Sequence, residues 1–329
     1  MKNILVTGGC GFIGSCFVKQ QISQNNFVLN IDKLTYAANQ NNLANLNNHP
    51  NYKFCKADIN ETNLILNLLS THKIDWLVNF AAETHVDNSI SNPDIFIRTN
   101  INGTHSLLKA ALQYFKNLDA DKKNNFRFLH VSTDEVFGSL TENAEAFNEN
   151  SKYQPNSPYS ASKAGSDHLV RAWQETYGLP TIITNCSNNF GPHQHQEKLI
   201  PTIIKSCLNN LDIPIYGTGT NIRDWIYVAD HCHGIELALN KGQAGQTYLF
   251  GGNNEIRNID IAHKICHILD KIKPRIDKIS YTTQIKFVED RLGHDFRYAI
   301  NNAKSNRDLG FKPSKSFDEA LKETIEFYL

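Results

Sequence analysis

Residues 3–14 read NILVTGGCGFIG: a short apolar strand, a glycine-rich turn and the first residues of a helix. Gly8, Gly11 and Gly14 are spaced so that the turn between strand and helix carries few side chains. A turn of this kind lets the phosphates of a dinucleotide approach the backbone at the helix N-terminus, where N–H donors and the positive end of the helix dipole lie. The segment therefore predicts a dinucleotide-binding strand–turn–helix unit.

Apolar runs of strand length recur through the first half of the chain, with helix-length stretches between them. The runs are Asn3–Thr7, Phe27–Asp32, Tyr52–Ala57, Trp76–Phe80, Phe126–Thr133 and Thr181–Thr184. Asn100–Phe115 has apolar residues at helical spacing, and Ser157-Pro158 is typical of the start of another helix. This alternation predicts an α/β fold, a Rossmann-like doubly wound parallel sheet.

The pattern changes after about residue 190, where loops rich in Gly, Pro and Asn separate shorter elements. Near the end, Ser316 and Glu319 have the spacing of a helix capping box. We expect residues 1–190 to form the NAD-binding domain, with segments near 222–255 returning to it. Residues 191–329 would form a smaller C-terminal α/β lobe that binds the substrate.

Composition excludes several classes of function. The 329 residues include 33 Lys+Arg and 33 Asp+Glu, so the chain lacks the basic excess of a nucleic-acid or anionic-membrane binder. No apolar run reaches the roughly 20 residues of a membrane span. The seven cysteines are widely spaced without a C-x-x-C pair, which favours reduced thiols over disulfides or a zinc site. We expect a cytoplasmic protein without a metal.

Polar or small residues follow the predicted strands, at the edge where open α/β sheets bind ligands. Asp32 ends the second strand, where a carboxylate can accept the ribose hydroxyls and repel a 2′-phosphate. NAD is therefore favoured over NADP, although Lys33 lies beside it. Asp58 follows the third strand and could hold the adenine, and Ala81-Ala82 with Thr99 could leave room for the cofactor.

Two further groups of residues indicate catalysis. Tyr159 and Lys163 lie four residues apart on one helical face, and a nearby cation can lower the pKa of a tyrosine so that it acts as a base. Ser132-Thr133-Asp134-Glu135 ends a strand with a hydroxyl and two adjacent carboxyls, a candidate acid and base. In isolation, a tyrosine and a lysine at this spacing are more often an exposed pair, and adjacent acidic residues are more often a solvated turn. Their shared position at the strand ends favours an active site.

The chain resembles the extended short-chain dehydrogenase/reductases over nearly its whole length, and most closely their branch that dehydrates dTDP-glucose. The motifs that carry the resemblance include the glycine turn, Asp32–Ala37, Ala81–Asp87, Ser132–Val136, Tyr159–Lys163, Asn185–Pro192, Glu197–Pro201, Arg223–Trp225 and Asp290–Tyr298.

The resemblance implies a 4,6-dehydratase, a hydro-lyase that contains NAD, takes dTDP-glucose as substrate and forms a homodimer. Tyr159 would abstract the proton of the sugar 4-hydroxyl, with Thr133 hydrogen-bonded to the same oxygen and Lys163 lowering the tyrosine pKa. Glu135 would then remove the hydrogen on carbon 5 while Asp134 protonates the departing 6-hydroxyl. The product would serve synthesis of deoxysugars of the rhamnose type.

The same resemblance implies the binding residues. For the cofactor they are Gly8, Gly11, Phe12, Ile13, Gly14, Asp32, Lys33, Leu34, Thr35, Asp58, Ile59, Ala81, Ala82, Thr99, Tyr159, Lys163 and Asn189. For the sugar nucleotide they are Thr84, Thr133, Asn188, Glu197, Lys198, Leu199, Pro214, Tyr216, Arg223, Asn258, Arg291 and His294.

Three departures from the family pattern lie in or near the ligand loops: Ala38 for glycine, His195-Gln196 for Phe-Pro, and Leu292 for proline.

Three alternative functions stay open. A nucleotide-sugar 4-epimerase would share the cofactor turn and the Tyr159/Lys163 pair but would not need Asp134 and Glu135. The second alternative is a dehydratase of another nucleotide sugar. The third and more remote one is a non-catalytic regulatory protein that binds NAD.

Overall fold

The structure, a computed structural model, describes residues 1–329. Its strands are β1 (Asn3–Thr7), β2 (Phe27–Asp32), β3 (Tyr52–Lys56), β4 (Trp76–Asn79), β5 (Arg127–Thr133), β6 (Thr181–Cys186), β7 (Asn188–Phe190), β8 (Ile213–Tyr216), β9 (Ile222–Tyr227), β10 (Thr247–Phe250), β11 (Glu255–Arg257) and β12 (Ile285–Val288). Its α-helices are α1 (Phe12–Ser23), α2 (Thr62–Thr71), α3 (Val86–Ser91), α4 (Pro93–Phe96), α5 (Thr104–Lys116), α6 (Ala120–Asn125), α7 (Pro158–Tyr177), α8 (Leu199–Leu208), α9 (Val228–Lys241), α10 (Asn258–Ile272), α11 (Ala303–Leu309) and α12 (Phe317–Tyr328).

The main sheet has seven strands in the order β10-β6-β5-β4-β1-β2-β3, and all its neighbours are parallel. Leu5 of β1 lies opposite Leu29 of β2 and Leu77 of β4, and all three are buried. Strand order reverses at β1, so the carboxyl ends of β1 and β4 border the crevice where such sheets bind ligands. The predicted Rossmann-like doubly wound sheet is confirmed.

The apolar runs locate the first six strands to within two residues. β1 and β2 have the predicted bounds, because each is a run buried on both faces and followed by a turn. β6 continues two residues beyond the predicted end at Thr184, to Cys186, because polar Asn185 is also buried in the sheet.

The helix expected over Asn100–Phe115 has an irregular start. Ile97–Gly103 is a π-helix, and α5 follows from Thr104. The Asn100 amide accepts a hydrogen bond from the backbone N–H of Glu83 at 2.9 Å and donates to the Glu83 carbonyl at 3.1 Å. This side chain links the π-turn to the loop after β4, a tertiary contact that periodicity does not predict.

Helix α7 begins as expected: Ser157 caps it by accepting from the Ser160 N–H at 3.1 Å, and Pro158 is its first residue. The capping box of Ser316 and Glu319 also forms, at the start of α12. Both caps satisfy N–H groups that a helix start leaves without intrahelical partners.

The rest of the chain after β6 forms small sheets beside the main one. β11, β9 and β7 make a three-stranded sheet, and β12 pairs with β8. β10 instead extends the main sheet by pairing with β6. No helix in the structure has both the length and the apolar composition needed to cross a membrane.

Candidate active site

The glycine turn after β1 forms a close-packed backbone cradle. Gly8 has φ +71°, and a Cβ there would lie 2.7 Å from the backbone nitrogen of Ala81; a Cβ on Gly14 would lie 2.3 Å from the Gly8 carbonyl oxygen. Gly11 is the N-cap of α1 and has no capping side chain, so the first N–H groups of the helix face the turn without a side-chain acceptor. Only a bare backbone fits here, and its donors suit a phosphate group.

Asp32 is buried and rigidly held at the end of β2. Its carboxylate accepts backbone N–H groups from Cys10 at 2.9 Å and from Leu34 at 2.8 Å. Lys33 forms an ion pair with Asp58 at 2.8 Å. Because this pairing offsets the Lys33 charge, the lysine offers little attraction for a 2′-phosphate, and the local electrostatics favour NAD over NADP.

A cavity of about 300 Å³ opens above the glycine turn. It brings together all the predicted catalytic residues and all but one of the predicted cofactor residues. The exception is Leu34, which does not line the cavity; it contributes its N–H to Asp32. The cofactor residues on the wall are Gly8, Gly11, Phe12, Ile13, Gly14, Asp32, Lys33, Thr35, Asp58, Ile59, Ala81, Ala82, Thr99, Tyr159, Lys163 and Asn189.

A second cavity of about 350 Å³ adjoins the first, and Glu135 lines both. Every predicted substrate residue except Thr133, which lines the first cavity, is on its wall: Thr84, Asn188, Glu197, Lys198, Leu199, Pro214, Tyr216, Arg223, Asn258, Arg291 and His294. Several buried polar atoms there have no protein partner, namely Asn188 Oδ1, Asn258 Oδ1 and Arg291 Nε. Such atoms are available to hydrogen-bond a polar ligand or ordered water, because burial without a hydrogen bond is costly.

The two adjacent carboxyls at the end of β5 have different environments. Burial, and then repulsion from Glu135, holds the pKa of Asp134 well above its usual range. Burial also raises the pKa of Glu135, but the nearby charges of Arg291, Lys198 and Arg223 oppose this rise. Asp134 is therefore suited to donate a proton, and Glu135 is better suited to accept one.

Tyr159 is buried and lines the first cavity. Burial, with the charge of Glu135 next, raises its pKa, whereas a hydrogen bond with Thr133 opposes the rise. The Lys163 ammonium donates to the Val131 carbonyl at 2.8 Å, and burial lowers its pKa to about 8. For Tyr159 to act as a base near neutral pH, Lys163 must therefore be held in its charged form.

Arg223 is fixed by interactions that the sequence did not reveal. Its guanidinium lies 4.4 Å over the Tyr298 ring and donates to the backbone carbonyls of Ile222, Asp295 and Phe296. Tyr298 lies within one of the motifs quoted above but was not predicted as a site residue. The aromatic ring and three carbonyls keep a cation at the cavity wall, in a position suited to a diphosphate.

The departures from the family pattern have distinct placements. His195 meets the Tyr36 ring edge-on at 5.8 Å between centroids and lies 3.3 Å from Glu197, so it links the loops over the first cavity. Ala38 lines that cavity, whereas Leu292 is 76% exposed and lines neither. Leu292 therefore has no direct effect on the cavity walls.

A doubly wound sheet with a glycine cradle after β1 and a tyrosine–lysine pair on α7 is typical of the extended short-chain dehydrogenase/reductases, the class that the sequence resembles. A family model described as GDP-mannose 4,6 dehydratase matches residues 5–324, and the chain belongs to this family of nucleotide-sugar dehydratases.

Individual relatives narrow the comparison. "dTDP-glucose 4,6-dehydratase 1" of Escherichia coli (strain K12) is 50% identical over 335 residues, covering 99% of this chain and 92% of that protein. The crystal structure of dTDP-glucose 4,6-dehydratase from Streptomyces venezuelae, with NAD bound, has a TM-score of 0.90 and 40% identity, and covers 99% of this chain and 96% of that chain. The Bacillus anthracis enzyme in complex with NAD gives a TM-score of 0.88 at 40% identity, covering 100% and 96%.

Proposed function

We propose that the protein binds NAD and converts dTDP-glucose to dTDP-4-keto-6-deoxyglucose and water, a precursor of deoxysugars of the rhamnose type. The observation that carries this proposal is the place of Glu135 and Asp134. Glu135 lines both cavities, beside a buried acid, Asp134, whose pKa burial holds well above its usual range. An epimerase needs no such acid–base pair, and the relatives at half identity share the proposed activity.

The residues of the first cavity suit NAD, with the glycine cradle at the pyrophosphate and Asp32 at the ribose. When bound, NAD would supply the redox chemistry, as acceptor of the hydride from carbon 4 of the sugar and donor of the same hydride to carbon 6. Because the reaction would regenerate the cofactor in each cycle, turnover would not require the cofactor to exchange.

The side chains of this chain move the protons. Tyr159 takes the proton of the 4-hydroxyl, aided by the Lys163 charge and the Thr133 hydroxyl. The resulting ketone acidifies the hydrogen on carbon 5, which Glu135 removes. Asp134 gives its proton to the departing 6-hydroxyl, so that water leaves. A proton then returns to carbon 5 as hydride is added at carbon 6, which gives the 4-keto-6-deoxy product.

The second cavity holds the nucleotide part. Arg223, Arg291 and Lys198 supply positive charge for the diphosphate, while Asn188 and Asn258 supply amide groups. We also propose that residues 1–190 chiefly bind the cofactor and residues 191–329 the sugar nucleotide. Asn189 belongs to the first range but lines both cavities, so we expect it to contact both ligands.

The test is to incubate the purified protein with dTDP-glucose and no added cofactor. We expect a product lighter by one water, with a 4-keto group and no net reduced cofactor. UDP-glucose, which has the same sugar on another base, is the matched control substrate. An isomer of unchanged mass would instead mean epimerisation, and no conversion of either substrate, with or without added NAD, would reject the proposal.

Replacing Asp32 with Ala should weaken NAD binding. Hydrogen bonds to a charged group contribute about 1.5–3 kcal/mol, so the Kd for NAD should rise about tenfold to a hundredfold. The Kd for NADP should change less, because the substitution also removes the repulsion between the Asp32 carboxylate and the 2′-phosphate of NADP. Calorimetric titration of the cofactor-free protein measures both constants, with the exposed Asp119→Ala as the control. If the ratio of the Kd for NADP to the Kd for NAD did not change, Asp32 would not bind the ribose.

We propose that two copies pair through α5 and α7. Ala161 is exposed on α7 and is available to a partner. Gly165 instead packs against its own chain, since a Cβ added there would lie 3.0 Å from Ile101 Cδ1. Light scattering at micromolar concentration should give the mass of a dimer, and Ala161→Arg should shift it toward the monomer. A monomer mass for the unaltered protein would contradict this assembly.

We propose the cytoplasm as the compartment. The sulfur atoms of Cys207 and Cys266 lie 3.9 Å apart inside the protein, and both cysteines are free thiols. A chain with no disulfide framework is typical of a reducing compartment.

A further inference from the structure

A buried polar network lies behind Lys163, on the side away from the cavity. Its centre is Asp167, one helical turn beyond Lys163 on α7 and 1% exposed. Neither this carboxylate nor its neighbour His130 lines either cavity. The mechanism above uses neither, yet a carboxyl buried this completely needs partners, because an isolated buried charge is costly.

The two oxygens of Asp167 have different surroundings. Oδ2 accepts hydrogen bonds from the Ser132 hydroxyl at 2.7 Å, the Tyr153 hydroxyl at 3.0 Å and the Asn185 amide at 3.5 Å. Oδ1 has none of these donors and faces His130 Nε2 at 3.4 Å. Burial raises the pKa of Asp167 to about 6, whereas the Lys163 charge and these three donors oppose the rise, so the carboxyl is ionised at neutral pH.

His130 lies between Asp167 and Lys163. Its Nε2 is 3.2 Å from Lys163 Nζ, and its Nδ1 is 3.1 Å from the Asn79 amide nitrogen. Burial, with the Lys163 charge next, holds the pKa of His130 well below its usual range, so the ring is neutral. The negative charge available to Lys163 on this side therefore comes from Asp167.

The other groups that face Lys163 supply no lasting negative charge. Burial raises the pKa of Cys186, so its thiol is neutral, and Tyr159 is ionised only when it acts as a base. Burial lowers the pKa of Lys163 to about 8 even though the Asp167 charge opposes that change. Without the carboxylate, the pKa of Lys163 would fall further and less ammonium would remain at neutral pH.

We propose that Asp167 is a positioning residue for the reaction: through its negative charge, it holds Lys163 in place and in its charged form next to Tyr159. This inference rests on the proposed role of Tyr159 and Lys163 in oxidising the sugar. The network would then do more than pack the interior, since the effect of Asp167 on Tyr159 is electrostatic.

The decisive variant is Asp167→Asn, which keeps the size and removes the charge. The pKa of Lys163 should fall and that of Tyr159 should rise, so the two limbs of the pH–rate profile should move toward each other. A shift of about one pKa unit corresponds to a tenfold smaller phenolate fraction, and the rate at neutral pH should fall about tenfold. Glu175→Gln, which removes an exposed carboxylate from the same helix, should leave the profile unchanged.

A second readout does not depend on the sugar. The phenolate absorbance of Tyr159 can be titrated in the NAD-loaded protein, with Tyr159→Phe as the blank, and Asp167→Asn should raise the pKa. Tyr153→Phe, which removes one donor to Asp167, should produce a smaller shift in the same direction. Unchanged titrations in both variants would overturn the inference. If the unaltered protein converts no nucleotide sugar, the proposed function fails, but this titration still decides the role of Asp167.

Discussion

Replacing Glu135 with Gln should stop the reaction halfway and leave the cofactor reduced. Oxidation at carbon 4 depends on Tyr159 and would proceed, but the glutamine amide cannot remove the hydrogen from carbon 5. General-base contributions are about a hundredfold to ten-thousandfold, and turnover should fall by that amount. The near-ultraviolet absorbance of reduced nicotinamide should rise on mixing with dTDP-glucose and persist.

The control for this experiment is Glu142→Gln, which alters an exposed carboxyl in the loop that follows β5. It should show wild-type turnover and no persistent reduced cofactor. If Glu135→Gln turned over at the wild-type rate, Glu135 would not be the base. Loss of turnover without reduced cofactor would place its role before elimination.

Replacing Tyr159 with Phe should block the reaction one step earlier. The phenyl ring keeps the packing against Phe96, whose centroid lies 6.3 Å away, but cannot take the 4-hydroxyl proton. Turnover should fall by about a hundredfold to ten-thousandfold, and reduced cofactor should not build up. Rapid mixing with dTDP-glucose measures both quantities in one trace.

Tyr177→Phe is the matched control, because this tyrosine is exposed at the far end of the same helix. Its kinetics should equal those of the unaltered protein. Rapid accumulation of reduced cofactor in Tyr159→Phe would assign the base role to another group. Together, the Glu135 and Tyr159 variants separate oxidation from elimination by the redox state of the cofactor.

The sequence determined the sheet more closely than the helix that leads into α5. Runs such as Ile4–Val6 are apolar on both faces, and this property is local. The π-helix at Ile97–Gly103 depends on contacts with distant segments: the Asn100 amide binds the loop after β4, and a Cβ on Gly103 would lie 2.4 Å from Ile59 Cδ1. No spacing of apolar residues within the helix encodes those contacts.

The same distinction applies to the site. Asp32 and the Tyr159/Lys163 pair were found because each lies at a fixed offset from a strand or a helix start. Tyr298, which supports Arg223, could not be found this way, since the two approach each other only through tertiary folding. His130 falls within the predicted strand Phe126–Thr133, and the strand pattern assigns it no role, although it is almost completely buried and contacts Lys163.

The wall that the two cavities share has a consequence for how the protein responds to its surroundings. Because Glu135, Asn189 and Lys198 border both spaces, a sugar nucleotide in the second cavity would lie next to a dinucleotide in the first. A bound sugar nucleotide would then obstruct exchange of the dinucleotide with the free pool. With the dinucleotide held in this way, the rate would depend on the concentration of sugar nucleotide and not on the cell's ratio of oxidised to reduced nicotinamide.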